Sequence, residues 1–301
     1  MTIAALKNNA VKVFTESGSS TPQLDADCLL QFLLKKDKTW ILLNRNEQLS
    51  SEIQKEYEAL VEKRRTGFPV AYITGIKEFY GIEYFVTPDV LIPKPDTEIL
   101  VEKAVQKIQD LKKDSVKIID VCSGSGCVGL STLKELENKS CGCDVHLIMT
   151  DLSKAALSIT EKNARNIFDE SFVEKHIDFI NGDLLCGKSG FDFILSNPPY
   201  VPHSEVEELL LDGRSEPRLA LDGDTDTAVS KELNTDDGLP IIRRLIPMAF
   251  AALNPGGIFI MESGEYQTEK VRELFLQAGF INVISEKDLS GMERITIGEK
   301  Q

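Results

Sequence analysis

Four consecutive residues, Asn197-Pro198-Pro199-Tyr200, put an amide, two stiff imide units and an aromatic ring side by side. Neither proline has an N–H to donate, and each holds φ at about −65°, so the backbone there runs extended with its carbonyls unpaired. Asn197 Oδ1 and the Pro198 carbonyl can accept the two hydrogens of a planar –NH2 group, with the Tyr200 ring over one face and Pro199 stiffening the wall. The chemistry implied is recognition of an amide or amino nitrogen. The plain alternative is a rigid exit from a strand that does no chemistry at all.

A second group lies upstream. Asp120, Asp151 and Asp183 each follow a short apolar run, and between the first two stands the glycine-rich stretch Cys122-Ser123-Gly124-Ser125-Gly126. Gly124 to Gly129 fits G-x-G-x-x-G, a weak signal alone that gains weight from a strand before it and a helix after it. A nicotinamide dinucleotide fits the glycines and an acid for ribose hydroxyls. Asp120 argues against it, because a carboxylate beside a pyrophosphate is unfavourable whereas one beside a sulfonium and an ammonium is attractive. The three acids, read together, match S-adenosylmethionine: Asp120 at the methionine end, Asp151 on the ribose and Asp183 at the adenine, with neighbouring Leu184 also expected to bind the cofactor.

These residues need a scaffold that gathers strand ends. Apolar runs at 116–121, 145–151, 178–183, 191–196 and 257–261 alternate with helical stretches near 128–133, 153–166, 239–253 and 268–278. Strands alternating with helices predict a doubly wound, mostly parallel α/β sheet, whose ligands bind outside the carboxyl ends of the strands. Val283-Ile284-Ser285 and Arg294 to Ile297 have no helix between them and predict an antiparallel edge pair. The segment 201–238 reads as a long polar loop. Residues 1–70 predict a small helical bundle, with Pro22 opening one helix, a capping box at Ser51-x-x-Gln54 opening another, and Lys63-Arg64-Arg65 as a solvated helix end. Residues 71–90, rich in aromatic and β-branched side chains, predict a linking β-hairpin with strands at 71–75 and 79–86. The proline-stiffened segment 92–98 leads into a helix ending near Lys112.

Composition narrows the function classes. The 301 residues are 42% hydrophobic and 27% charged, with a net charge of −14. That charge disfavours gripping a nucleic-acid backbone through a broad basic face, so direct DNA binding is not expected. The first residues lack the apolar core of a signal peptide and no stretch reaches membrane-spanning length, so a cytoplasmic protein with no membrane role is expected. Six cysteines (28, 122, 127, 141, 143, 186) and three histidines match no common metal framework; reduced structural thiols are expected, and no metal.

Together, Asp120 to Gly126, Asp151, Asp183 and Asn197 to Tyr200 resemble class I S-adenosylmethionine-dependent methyltransferases that modify planar nitrogens. Pro69 to Gly75, Ile92 to Glu98 and Glu216-Pro217-Arg218 narrow the resemblance to protein-(glutamine-N5) methyltransferases acting on class I peptide-chain release factors. It spans about residues 20–298. Lys94 and Asp96 stand where that family more often has Arg and Glu, and Cys122 where glycine is frequent. The resemblance implies a partner-binding domain at 1–70, the hairpin at 71–90 and a methyltransferase domain at 91–301. It implies methyl transfer to the glutamine of a Gly-Gly-Gln motif, with S-adenosylhomocysteine as product. In the expected mechanism Asn197 and the Pro198 carbonyl hold both N–H bonds so that the lone pair points at the methyl, with no dedicated strong base. Positioning of this kind contributes up to roughly 7–11 kcal/mol. An N6-adenine nucleic-acid methyltransferase explains the tetrapeptide equally well. A non-catalytic adaptor and a nicotinamide dehydrogenase account for fewer of these residues.

Overall fold

The computed structural model describes residues 1–139, 142–211, 216–224, 236–288 and 290–301. Backbone contacts divide the chain into two units. One takes in Met1–Ile76 and a short segment opening at Glu208; the other takes in Lys77–Glu207 and everything from Glu216 onward.

The first unit is helical: α1 (Ile3–Glu16), α2 (Pro22–Leu34), α3 (Lys38–Leu43), α4 (Ser51–Arg65) and α5 (Val70–Thr74). Ile3, Leu6, Ala10 and Phe14 recur at helical spacing along α1 and are buried with Leu29, Leu30, Tyr57 and Val61. Three sequence expectations need correction. The cap of α4 is Ser50, whose hydroxyl accepts from Ile53 N at 3.4 Å, while Gln54 Nε2 donates to the Leu49 carbonyl. Arg64 is not merely solvated: its Nε donates to Asp25 Oδ2 at 2.8 Å. The stretch 71–75 is helical, because Pro69 presets the entry at φ −61° and Gly75 closes the turn in the left-handed region at φ 75°.

The hairpin itself is shorter and later, β1 (Ile76–Phe79) with β2 (Ile82–Phe85). Its two-residue turn, Tyr80-Gly81, has φ of 53° and 73°, the positive pair that matches strand twist. Beyond it come α6 (Glu98–Asp110), β3 (Ser115–Val121), α7 (Cys127–Asn138), β4 (Asp144–Asp151), α8 (Lys154–Ile167), α9 (Glu170–His176), β5 (Ile177–Asn181) and β6 (Phe191–Ser196). The segment 201–238 is not one irregular loop, since α10 (His203–Leu211) and α11 (Arg218–Leu221) lie in it. Much of its acidic stretch, and Cys141, fall outside the described residues. Then follow α12 (Pro240–Ala252), β7 (Leu253–Glu262), α13 (Thr268–Ala278), β8 (Ile281–Lys287) and β9 (Glu293–Glu299).

Among the described residues, seven strands form one sheet in the order β5-β4-β3-β6-β7-β9-β8. The first five are parallel, and β9 runs antiparallel to both β7 and β8. Leu100, Val101, Ala104, Val105 and Ile108 of α6 bury against one face with residues of α7. Ile242, Leu245, Ile246 and Ala249 of α12 cover the other, with Val271 and Phe275 of α13. All six residues of β6 are buried, as a central parallel strand requires. The chain winds outward from β3 through β4 and outward from β6 through β7. The topological switch therefore falls between β3 and β6, where a crevice opens at the strand ends. No helix among the described residues is long and apolar enough to cross a membrane.

Candidate active site

A cavity of about 590 Å³ occupies that crevice. Asp120, Cys122 to Ser125, Asp151, Asp183, Leu184, Asn197 and Pro199 all line it. Pro198, Tyr200 and Asn197 also line a second cavity of about 70 Å³ beside it. Of the residues expected to bind cofactor or substrate, only Gly126 lines neither. It acts from behind, turning the loop at φ 83°, where a Cβ would lie 2.9 Å from both Leu130 and Thr160.

The loop is held by its own backbone and by two side chains that the sequence did not flag. Gly126 N donates to Ser123 O at 2.7 Å, and Ser123 N to Thr150 O at 2.9 Å. Thr160 Oγ1 donates to Gly124 O at 2.8 Å. Asn163, fully buried, donates from Nδ2 to Ser125 O at 2.8 Å and grips both backbone groups of Phe85. Cys122, in the position where glycine is frequent, adopts φ 61° despite its Cβ. Burial pushes its thiol well above the ordinary range, with the Asp151 and Asp120 charges adding to the effect.

Asp120 is 1% exposed, and its Oδ2 accepts from Gly129 N at 2.9 Å. Only glycine permits this approach, because a Cβ on residue 129 would lie 2.9 Å from the same oxygen. Burial raises the Asp120 carboxyl from 3.8 to about 7; the Gly129 N–H opposes the rise and the charge of Asp151 adds to it. Asp151 accepts from Gly124 N at 2.9 Å and Ser153 N at 2.8 Å, with its pKa also raised, chiefly by burial. Two of its roughly four lone-pair sites remain for a ligand. Asp183 departs from expectation, since β5 ends at Asn181 and its carboxylate pairs with Arg244 of α12. A ligand amino group there would share that acid with a guanidinium.

At the end of β6, Asn197 Nδ2 donates to Thr97 Oγ1 at 3.2 Å, so its Oδ1 is turned the other way. The Tyr200 hydroxyl donates to Glu262 Oε1 at 3.0 Å, and Gln267 Nε2 fixes the Tyr200 carbonyl at 2.8 Å. Lys94 Nζ meets Glu216 Oε1 at 2.7 Å, clamping the 88–94 wall of the larger cavity to the segment that carries Pro217. Glu262 went unremarked in the sequence, although it is a carboxylate at a strand's carboxyl end like Asp120 and Asp151.

The residues present fit S-adenosylmethionine. Ser123 Oγ, in the cavity lining, is buried without a hydrogen-bond partner among the described residues, the carboxylates supply acceptors for cationic and hydroxyl groups, and the glycine loop permits close approach. Among the described residues no three His, Cys, Asp or Glu side chains converge as a metal site.

Comparison with known proteins finds relatives along nearly the whole chain. Residues 5–75 match the family model for the PrmC N-terminal domain, and residues 96–236 that for the methyltransferase small domain. The release factor glutamine methyltransferase of Clostridium acetobutylicum is 32% identical over 294 residues, covering 96% of this chain and 95% of that one. The enzyme of the same name from Escherichia coli K12 is 32% identical over 282 residues, covering 93% of each. In fold, the hMettl16 catalytic domain, solved with the MAT2A 3'UTR hairpin 6, aligns with a TM-score of 0.52 at 13% identity over 77% of this chain and 80% of that one. With this degree of identity along nearly its whole length, the chain belongs to the release factor glutamine methyltransferase family.

Proposed function

We propose that the protein transfers a methyl group from S-adenosylmethionine to the side-chain amide N5 of the glutamine in the Gly-Gly-Gln motif of class I peptide-chain release factors, in the cytoplasm. The helical region at 1–70 is the part that binds the rest of the partner, the hairpin at 71–90 links it, and residues 91–301 carry the transfer. The observation that carries this proposal is the orientation of Asn197. With its nitrogen committed to Thr97, the amide offers an acceptor oxygen to a substrate –NH2 at the edge of the larger cavity.

An amide nitrogen is a weak nucleophile because its lone pair is delocalised into the carbonyl. Asn197 Oδ1 and the Pro198 carbonyl accept its two hydrogens and turn the lone pair toward the cavity. Tyr200 and the two prolines shape the slot and exclude water. Asp120, Ser123, Gly124 and Ser125 bind the methionine end of the cofactor, Asp151 the ribose, and Asp183 with Leu184 the adenine. The cofactor, when bound, supplies an activated methyl on a sulfonium. The surplus proton passes to solvent after transfer.

The test is transfer of labelled methyl to a purified class I release factor, to the same factor lacking its Gly-Gly-Gln glutamine, and to duplex DNA. Label on the intact factor alone is expected. Label on DNA alone would mean that the slot serves adenine.

A further inference from the structure

The backbone that leaves the acceptor slot at Tyr200 is held by a side chain that lines neither cavity. Gln267 is 3% exposed. Its Nε2 donates to the Tyr200 carbonyl at 2.8 Å and to the Asp237 carbonyl at 2.7 Å, while its Oε1 accepts from Gly264 N at 2.9 Å. Only one orientation of the amide satisfies all three, because the N–H needs the oxygen and the two carbonyls need one hydrogen each from the –NH2. Tyr200 is thereby fixed at both ends, since its hydroxyl donates to Glu262 Oε1 at 3.0 Å.

The base of this contact is rigid. Gln267 directly precedes α13, whose Val271 and Phe275 are fully buried. On either side of it the chain is tied to β9: Ser263 N donates to the Arg294 carbonyl at 2.9 Å, and Thr268 Oγ1 to the Glu293 carbonyl at 2.9 Å. The far side is closely fitted. Val201 N donates to the Leu221 carbonyl at 2.9 Å, and Gly223 N to the Val201 carbonyl at 3.0 Å. A Cβ on residue 238 would lie 2.0 Å from the Tyr200 carbonyl oxygen, and one on residue 223 would lie 2.9 Å from Tyr200 Cα. Two glycines thus let three segments close around the Tyr200 backbone, and the Gln267 amide joins two of them.

We propose that Gln267 is a positioning residue for methyl transfer: acting through the Tyr200 carbonyl, it fixes the exit of the Asn197-Pro198-Pro199-Tyr200 segment and so the gap between the Tyr200 ring and the Asn197 amide in which a substrate –NH2 must fit. The two prolines make the anchor effective. With φ pinned in both, little of a displacement at Tyr200 can be absorbed before it reaches the Pro198 carbonyl and Asn197. The inference rests on the acceptor-slot reading above.

The experiment compares Q267M, Q267E and N197A with the wild type in the full chain. V105A serves as a stability reference, because Val105 is buried in the core under α6, on the opposite face of the sheet from α13. Methyl transfer to a purified class I release factor is measured at a temperature where the variants are folded by circular dichroism, with S-adenosylmethionine affinity by calorimetry and amide exchange at Val201, Gly223 and Gly238. Q267M removes both donors at similar length, and Q267E turns an oxygen toward two carbonyls. A misplacement of about 1 Å costs on the order of 100-fold in rate, so both are expected to lose about 10- to 100-fold in kcat, with a smaller change in KM and cofactor affinity within about twofold. Exchange at the three amides is expected to quicken in both, whereas V105A keeps its kcat. Near wild-type kcat in Q267M and Q267E beside an inactive N197A would overturn the inference alone. A matching loss of kcat in V105A would reduce Gln267 to a stabilising contact and also overturn it. Normal turnover in N197A would overturn the acceptor slot as well. In the wild type the three amides are expected to exchange as slowly as those of β6, and exchange within seconds there would overturn the inference whether or not the variants fold.

Discussion

The most informative perturbation of the cofactor site is Asp120→Asn, read through pH. Asp120 is 1% exposed and its carboxyl is raised from 3.8 to about 7, mainly by burial. Holding it ionised in the protein without cofactor therefore costs about 4 kcal/mol, at about 1.4 kcal/mol for each tenfold change in proton affinity. The sign follows from linkage. The folded protein binds this proton more tightly than the unfolded chain, so stability falls as pH rises from the ordinary carboxylate range through about 7, and the full penalty is present above it. A cationic ligand seated against Asp120 offsets that penalty and expels the proton. S-adenosylmethionine affinity is then expected to weaken about 50-fold from pH 7 to pH 5. Calorimetry at pH 6.5 in two buffers of different ionisation enthalpy should detect release of most of one proton. In the Asp120→Asn variant binding is weaker at pH 7 and its pH slope shallower, with any remainder coming from Asp151. The same variant should unfold less readily at pH 8 than the wild type, by up to about 4 kcal/mol in denaturant. Affinity constant within threefold between pH 5 and 7, with no proton released, would refute the assignment of Asp120 to the cationic end.

Other sites give sharper, smaller tests. Asn197→Ala should abolish methyl transfer, a loss of at least about 100-fold in kcat, while calorimetric cofactor affinity changes little. Gly129→Ala places a methyl 2.9 Å from Asp120 Oδ2 and should cost about 1–3 kcal/mol in denaturant unfolding, with weakened cofactor binding. Asn163→Ala strips partners from Phe85 N, Phe85 O and Ser125 O, and should cost at least about 2 kcal/mol while loosening the glycine loop, seen as faster amide exchange at 123–126. Replacing Glu216 with alanine frees Lys94 and the 88–94 wall, and should raise the cofactor KM severalfold with little change in kcat.

What the sequence determined by itself is local and short-ranged. A central apolar strand followed by consecutive prolines has few conformations open to it, and β3 with its glycine loop and α7 is similarly self-specifying. Those patterns carried the parallel sheet, the antiparallel edge pair, and the gathering of Asp120, Asp151 and Asn197 at one edge. Local signals failed where two states compete over a few residues. Ile73 and its β-branched neighbours at 70–74 fit a strand as well as a helix until Pro69 and Gly75 close the turn around them. Asp183 fell beyond its strand and met Arg244, 61 residues away in the chain. Thr97, Asn163 and Glu262 became legible only in three dimensions, because their roles depend on partners far off in sequence and on burial. Asn163 grips Phe85 across 78 residues, and Tyr200 reaches Glu262 across 62. The same holds for the titration of Asp120: a carboxyl's identity is written in the chain, but its pKa is set by how much water the folded sheet removes from around it.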